Sequence, residues 1–224
     1  MLTDDKGTEV VVARLPVGPD AVRASEAVLS VAERHRANRF VLDRDRRRFI
    51  ACRARLRQLL GERLGVPPAS VELAYGARGK PVLAPQFNGS ALRFNLSHCG
   101  NLAVYAFSSR TDVGIDVEAI RVVDEADLIA AESFSPRERE MYRDLPARDK
   151  PLGFLNCWTR KEAFVKAIGA GLAHPLDSFD VSLAPGEPAR ILRVQNTDGD
   201  CGWRIGSFFP APGFVAAVVN EMPS

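Results

Sequence analysis

The sequence lacks the features of an exported or membrane-embedded protein. Residues 1–6 contain no basic segment followed by an apolar stretch, so no signal peptide is predicted. The longest clean apolar runs, such as 214–219, are far too short to cross a bilayer. We therefore expect a soluble cytoplasmic protein with no membrane partner.

Cysteine is scarce and scattered. The chain has four cysteines, Cys52, Cys99, Cys157 and Cys201, and no C-x-x-C pair. A structural zinc site or a disulfide framework needs closer clustering, so four reduced thiols are expected. His98 precedes Cys99, but neighbours on a strand point to opposite faces, which argues against a nucleophilic cysteine beside a histidine base.

The net charge is small but unevenly distributed. The 224 residues include 30 Lys and Arg and 28 Asp and Glu. Residues 1–110 hold 18 basic and 10 acidic residues, whereas residues 111–224 hold 12 and 18. A basic half beside an acidic half suits an enzyme that binds a polyanion with one half and a cation with the other. A solvated surface with chance asymmetry would give the same counts.

Hydrophobic patterning predicts helices followed by antiparallel strands in the first half. Helices are expected over 20–35 and 43–64, with Asp20 and Asp43 as their caps, and the second helix ends at Gly65. The strands expected in this half span 9–15, 71–73, 80–83, 92–96 and 102–107.

The same order of elements returns in the second half. After a strand over 113–117, Ser135 begins a helix with a capping-box signature, and another helix follows Pro151. A hairpin is expected from strands over 203–209 and 214–219. The repeated order predicts an α+β fold of two similar lobes in a pseudo-twofold arrangement, with domains at 1–110 and 111–224.

Two carboxylates alternate along the predicted strand 113–117. Asp116 and Glu118 are two residues apart, so their side chains share a face while Val113, Ile115 and Val117 pack inward. Adjacent carboxylates repel each other, and a divalent cation such as Mg²⁺ removes that cost. The exposed polar face of an edge strand would show the same pattern.

A further candidate is the segment 158–166, which reads WTRKEAFVK. Glu162 and Lys166 are four residues apart and therefore neighbours on one helix face. They could form a surface salt bridge. A capping box of Thr159 and Glu162 is a further alternative, but the helix is expected to start earlier, at Pro151, which argues against it. The segment alone does not decide between these structures and a functional site.

Ten arginines lie between Arg34 and Arg57, with only two acidic residues among them. Together with His98 and Ser97 they form a candidate anion site, because guanidinium groups bind phosphate oxygens in bidentate fashion. A solvated helix face and a nucleic-acid-binding surface remain alternatives for the arginines. His98 could equally be structural.

Four segments resemble those of 4'-phosphopantetheinyl transferases in order and spacing. They are 79–81 (GKP), 94–98 (FNLSH), 114–118 (GIDVE) and 158–166. The segment 169–179 is also similar to that family. Any single motif is weak, so the specificity lies in their combination.

The resemblance covers about residues 34–183 and implies a fold, a reaction and a set of ligands. It implies the monomeric two-lobed type, which transfers the 4'-phosphopantetheine arm of coenzyme A to a serine of an apo acyl or peptidyl carrier protein of nonribosomal peptide or polyketide synthesis, releasing 3',5'-ADP. Coenzyme A is then the co-substrate and Mg²⁺ the cofactor, and no nucleic-acid partner is expected.

The resemblance also implies individual roles. The implied metal ligands are Asp116, Glu118 and Glu162, and the implied catalytic residues are Glu162 and Lys166. The implied coenzyme A ligands are Arg36, Arg44, Arg48, Lys80, Ser97, His98 and Lys166, with His98 at the 3'-phosphate and Lys166 at the diphosphate. Phe49 departs from the family, since some members carry a hydroxyl there. The competing functions are a nucleic-acid-binding protein and a Mg²⁺-dependent coenzyme A hydrolase.

Overall fold

A computed structural model describes residues 2–3, 7–171, 174–194, 197–198 and 202–222. Cys201, one of the four cysteines, and Leu172 of the segment 169–179 lie outside these residues. The helices are α1 (Pro19–Glu26), α2 (Val31–Ala37), α3 (Asp43–Leu64), α4 (Ala126–Ser133), α5 (Pro136–Arg143) and α6 (Lys150–Ile168). The strands are β1 (Leu2–Thr3), β2 (Thr8–Arg14), β3 (Leu73–Tyr75), β4 (Pro81–Leu83), β5 (Arg93–Cys99), β6 (Leu102–Ser108), β7 (Val113–Ala119), β8 (Phe179–Val181), β9 (Ile191–Val194), β10 (Thr197–Asp198), β11 (Trp203–Phe208) and β12 (Phe214–Glu221).

In the N-terminal half, which comprises β1–β6 and α1–α3, the long helix α3 covers an antiparallel sheet. The sheet has the order β1-β2-β6-β5. Leu56 and Leu60 of α3 are fully buried against Phe94 of β5 and Tyr105 of β6. The Tyr105 hydroxyl donates a hydrogen bond of 3.0 Å to the carbonyl oxygen of Cys52, so the buried phenol is satisfied by the helix above it.

The C-terminal half, which comprises β7–β12 and α4–α6, repeats this arrangement. Its central antiparallel sheet has the order β11-β12-β7, and α6 covers one face. Phe164 of α6 is buried in one cluster with Val215, Ala217 and Val219 of β12. A second sheet, β10-β9-β8, contributes Phe179 and Val181 of β8 to the same buried cluster as α6.

The two central sheets pack against each other through their other faces. Val104 of β6 lies in a buried cluster with Val113 and Ile115 of β7 and Ala216 of β12. The molecule therefore has four layers in the order helix, sheet, sheet, helix. This arrangement confirms the predicted α+β fold, in which each half places helices on a small antiparallel sheet.

The predicted single helix over 20–35 is wrong. The chain forms α1 and α2 instead, because Ser30 begins a new helix with its own capping box. The Ser30 hydroxyl accepts a hydrogen bond from the backbone N–H of Glu33, whose carboxylate accepts one from the N–H of Ser30. Because apolar residues continue at helical spacing across this break, their periodicity alone predicted one continuous helix.

The predicted cap of α3 is also wrong. Asp43 is the first residue of the helix and Leu42 occupies the cap position. The Asp43 carboxylate is drawn instead into ion pairs with Arg46 and Arg47. The predicted end of the helix is confirmed, because Gly65 takes the left-handed conformation with φ of 68°.

Among the remaining elements, the capping box of Ser135 and the hairpin of β11 and β12 are confirmed. The strand predicted over 71–73 is displaced, since a 3-10 helix over Pro68–Ser70 leads into β3. The patterning missed α4, β8 and β9, which are short. None of the described helices combines the length and the hydropathy that a membrane span requires.

Candidate functional site

The site is built on β7, where the predicted alternation is confirmed. Val113, Ile115 and Val117 pack into the core between the sheets. Asp116 and Glu118 therefore share the opposite face with Gly114, which lies against α6. A methyl group at Gly114 would overlap the backbone of α6, so glycine allows the helix to approach the carboxylates closely.

A cluster of three side chains joins the two halves beside this strand. Lys166 of α6 pairs through its Nζ with Oδ1 of Asp116 at 2.6 Å. The Ser97 hydroxyl of β5 donates to the same oxygen at 2.8 Å and accepts from Lys166 Nζ at 3.2 Å. The structure thus brings together three residues that the resemblance assigned to metal and coenzyme A. Thr159 is mid-helix, so the alternative capping box with Glu162 does not form.

The negative charge of Asp116 acts on the carboxyl groups of Glu118 and Glu162. Burial raises the pKa of the Glu118 carboxyl, and the charge of Asp116 raises it further. Burial likewise raises the pKa of the Glu162 carboxyl, which Lys166 lowers and both strand carboxylates raise. The site therefore contains three neighbouring carboxylates that are partly shielded from solvent, and such an environment stabilises a bound cation.

The carboxylate oxygens of the site are suitable ligands for a hard divalent cation, although they do not converge on one point. Among the described residues, no three His, Cys, Asp or Glu side chains form a ready metal cluster. Oδ2 of Asp116 is nevertheless buried and has no hydrogen-bond partner within the described part of the chain. A cation held by the carboxylates of Asp116, Glu118 and Glu162 would satisfy this oxygen and offset their repulsion.

His98 lies on the other face of β5 from Ser97. Alternation places it with Phe94 and Leu96, which pack under α3. Burial lowers the pKa of the His98 imidazole, and the positive charges of Lys166 and Arg48 lower it further. Because β5 carries Ser97 on one face and His98 on the other, one strand can present groups to two parts of a long ligand.

Lys80 links the two halves. Its Nζ donates hydrogen bonds to the carbonyl oxygens of Val113 at 3.2 Å and Ala167 at 3.0 Å. Burial lowers the pKa of the ammonium group. Lys80 also lines a cavity of about 300 Å³ with Arg93 and Asp112. The contact between Lys80 and the nucleotide part of coenzyme A stays a prediction.

The arginines between residues 34 and 57 do not form one exposed surface. Arg44 is exposed, with Asp45 at 3.6 Å, and Arg48 donates to Asn101 at 3.0 Å. Arg53 and Arg57, by contrast, are buried, 7% and 2% exposed. The arginines of α3 therefore do not all lie on one exposed face, since the helix turns these two side chains inward.

Two side-chain pairs, one on α6 and one between β5 and β7, were not predicted. Lys161 lies within the recognised segment 158–166 and is fully buried, with its Nζ 2.7 Å from the Glu138 carboxylate. The Cys99 thiol donates a hydrogen bond of 3.5 Å to Glu118. A signal for the first pair was present, because a lysine on the apolar side of a helix needs a buried partner. The second pair depends on the contact between β5 and β7.

Family models and curated relatives match most of the chain. The model of the 4'-phosphopantetheinyl transferase superfamily matches residues 112–219, and a model of the 4'-phosphopantetheinyl transferase N-terminal region matches residues 18–110. The protein 4'-phosphopantetheinyl transferase HetI of Nostoc sp. is 42% identical over 192 residues, which cover 86% of this chain and 78% of that protein. The protein 4'-phosphopantetheinyl transferase psf-1 of Bacillus pumilus is 32% identical over 88% of this chain and 80% of its own length.

A human relative, L-aminoadipate-semialdehyde dehydrogenase-phosphopantetheinyl transferase, is 34% identical over 68% of this chain and 52% of its own length. A solved structure of Thermotoga maritima holo-[acyl-carrier-protein] synthase overlaps half of this chain with a TM-score of 0.37 and 22% identity, which is too partial a match to inform the fold. The family models and the relatives matched along most of their length show that the chain belongs to the 4'-phosphopantetheinyl transferase superfamily.

Proposed function

We propose that the chain transfers the 4'-phosphopantetheine arm of coenzyme A to a serine of an apo acyl or peptidyl carrier protein and releases 3',5'-ADP. The observation that carries the proposal is the cluster of Ser97, Lys166 and Asp116, which combines a cation, a hydroxyl and a half-satisfied carboxylate at the junction of the halves. A diphosphate requires such donors together with a metal. The relatives named for phosphopantetheinyl transfer support the same reaction.

Asp116, Glu118 and Glu162 would hold Mg²⁺ in this reaction. When bound, the ion neutralises charge that develops on the diphosphate oxygens. The unpartnered Oδ2 of Asp116 supports this assignment, as do the raised pKa values of the two glutamates. Carboxylate oxygens are the protein ligands that Mg²⁺ prefers.

Two side chains of the protein act directly in the transfer: Lys166 binds the diphosphate, and Glu162 accepts the serine proton. Lys166 exchanges its contact with Asp116 for a diphosphate oxygen. The carrier serine oxygen forms a bond to the phosphorus that bears the pantetheine arm, and the bond from that phosphorus to the 3',5'-ADP oxygen breaks. Glu162 takes the serine proton, directly or through water.

Coenzyme A would lie across β5. Ser97 and Lys166 are then placed for the diphosphate, and His98 for the 3'-phosphate on the α3 side. The further ligands proposed are Arg36, Arg44, Arg48 and Lys80. We assign residues 1–110 to a coenzyme A-binding domain and residues 111–224 to a metal-binding domain, in a cytoplasmic monomer without a nucleic-acid partner. The burial of Arg53 and Arg57 supports the last point, since it removes two cations from the surface.

The test combines the protein with coenzyme A, Mg²⁺ and a panel of apo carrier proteins, and follows the carrier by mass spectrometry. A mass gain equal to the phosphopantetheine arm is expected on at least one carrier. Loss of coenzyme A without any carrier would instead identify a hydrolase. Tight binding of a random oligonucleotide at physiological salt, without coenzyme A binding, would identify a nucleic-acid-binding protein.

A further inference from the structure

Cys99, at the end of β5, contacts a carboxylate of the candidate metal site. The residue is partly buried, and its Sγ lies 3.5 Å from Oε2 of Glu118. An ionised carboxylate only accepts hydrogen bonds, so the thiol is the donor. The proposed transfer uses neither this thiol nor its hydrogen bond.

The contact is the last of three that join β5 to β7 at regular spacing. Asn95 accepts a hydrogen bond of 3.1 Å from the backbone N–H of Ile115. The Ser97 hydroxyl donates to Oδ1 of Asp116 at 2.8 Å. Residues 95, 97 and 99 share one face of β5, because side chains two apart on a strand point the same way. This face therefore supplies a hydrogen-bond donor to each of the two carboxylates of β7.

The two strands are edges of the two central sheets. β5 ends the sheet β1-β2-β6-β5, and β7 ends the sheet β11-β12-β7. The donors and the carboxylates thus lie on regular strands of packed sheets, and groups held in this way are placed more precisely than groups on loops.

Glu118 depends on its donor from β5 more than Asp116 does. Asp116 also pairs with Lys166 at 2.6 Å. Among the described side chains, Cys99 alone donates a hydrogen bond to the Glu118 carboxylate. Glutamate has one more rotatable bond than aspartate, so its carboxylate loses more conformational freedom when it binds an ion. A donor that orients the carboxylate beforehand reduces that loss.

The same cluster contains a buried oxygen that lacks a partner. Oδ2 of Asp116 makes no hydrogen bond within the described part of the chain. Because buried polar atoms are normally paired, this oxygen indicates a cation independently of the cysteine. Groups that hold metal ligands by hydrogen bonds contribute strongly to metal affinity, and their loss typically lowers it by about tenfold to a hundredfold.

We propose that Cys99 is a positioning residue whose thiol holds the Glu118 carboxylate in the orientation that binds the metal ion, as the Ser97 hydroxyl holds Asp116. This proposal rests on the metal site of the proposed function. The thiol itself neither binds the ion nor reacts.

The experiment measures Mn²⁺ binding by electron paramagnetic resonance with coenzyme A present and no carrier protein, so that no transfer takes place. Mn²⁺ is the probe because carboxylate oxygens suit it as they suit Mg²⁺. Cys99→Ala should raise the dissociation constant of Mn²⁺ by roughly tenfold. Cys99→Ser keeps a donor, so its dissociation constant should stay within about threefold of the wild-type value.

Cys52→Ala is the matched control, because it removes the same sulfur from α3, where the thiol is buried and accepts a hydrogen bond from Tyr105 at 3.5 Å. This variant should lose stability but keep the Mn²⁺ affinity of the wild-type protein. Cys99→Val also lacks the donor and gives the same comparison where Cys99→Ala does not fold.

An unchanged Mn²⁺ affinity in Cys99→Ala would overturn the proposal. An equal loss in Cys99→Ser would overturn it as well, since the size of the side chain and not its donor would then matter. In both cases a wild-type protein that binds Mn²⁺ and modifies carriers leaves the proposed function standing. A wild-type protein that binds no Mn²⁺ with coenzyme A would instead refute the metal site of the proposed function, and this proposal with it.

Discussion

The two oxygens of Asp116 are in different situations. Oδ1 contacts both Ser97 and Lys166, whereas Oδ2 is buried and unpartnered among the described residues. A carboxylate in this state retains one strong acceptor for a cation, and removing it takes away a ligand and the partner of Lys166 together.

Asp116→Asn is expected to reduce phosphopantetheine transfer by about a hundredfold or more, because a bound metal supplies several kcal/mol of charge stabilisation in such reactions. The measurement is the initial rate of carrier modification at saturating Mg²⁺. Glu140→Gln, an exposed carboxylate on α5, is the control and should leave the rate unchanged. A near-normal rate for Asp116→Asn would remove the metal site from β7.

The pKa of the His98 imidazole should lie below 6.5 in the free protein, owing to burial and the nearby positive charges of Lys166 and Arg48. The folded state then binds fewer protons than the unfolded state, so the free energy of unfolding should fall as pH falls through about 6.5. Binding of 3',5'-ADP should raise the pKa, because a phosphate favours the imidazolium. An NMR titration of the three histidines with and without 3',5'-ADP measures both values. A His98 pKa that is the same with and without 3',5'-ADP would contradict its role at the 3'-phosphate.

At the scale of elements, the approach of α6 to β7 positions the site. Gly114 has no side chain between the strand and the helix, and a methyl group there would overlap the carbonyl oxygen of Ala163 and the backbone of Ala167. Lys166 lies on this part of α6, so the same approach brings its ammonium group to Asp116.

Gly114→Ala should therefore destabilise the fold by about 3 kcal/mol or more, at the upper end for overpacked cores, and separate Lys166 from Asp116. Gly206→Ala on β11 is the matched control, because the nearest atom to its added methyl is a Val218 side-chain carbon at 3.8 Å. Its effect should remain within about 0.5 kcal/mol. Urea unfolding of both variants measures the difference, and equal stabilities would show that the helix and strand are not in tight contact.

The pair of Lys161 and Glu138 attaches α6 to α5. Both side chains are fully buried, and Lys161 also donates to the carbonyl oxygen of Phe179 at 2.7 Å. Burial raises the pKa of the Glu138 carboxyl, while Lys161 lowers it. Each charge is thus tolerated because the other is present.

Lys161→Met should destabilise the protein by about 3–5 kcal/mol, because it leaves the Glu138 carboxylate buried without its cation. Adding Glu138→Gln should restore part of that loss, whereas independent sites would give additive losses. Thermal unfolding of the two single variants and the double variant completes the cycle. Additive effects would mean that the pair is not coupled.

At the scale of the whole molecule, the halves share a core. Val104 of the first sheet and Ile115 of the second are fully buried in one cluster. Asn95 of β5 accepts a hydrogen bond of 3.1 Å from the backbone N–H of Ile115. Unfolding one half would expose the apolar face of the other, so the halves should be thermodynamically linked.

We expect one cooperative unfolding transition in urea. Both tryptophans, Trp158 and Trp203, belong to the C-terminal half, so their fluorescence follows that half, while far-UV circular dichroism follows the helices of both. The two midpoints should coincide for a two-state protein. Midpoints that separate would show that each half unfolds independently.

The local pattern of the sequence was enough to predict parts of the fold and site whose causes are local. Alternation on one strand placed Asp116 and Glu118 on a common face, because the side-chain period of a strand is two. Ser135 and Gly65 marked helix ends for equally local reasons. The family motifs added the expected ligands, but they carried no information about which of them touch.

Packing between distant segments decided the rest. Lys166 and Ser97 are 69 residues apart in the chain, and they meet because α6 lies on β7 and β7 lies beside β5. The burial of Arg53 and Arg57 likewise depends on where α2 meets α3, because Glu33 of α2 pairs with both guanidinium groups. Periodicity reports which face of an element is apolar, whereas the partner of that face is set by the free energy of burying it against the remainder of the chain.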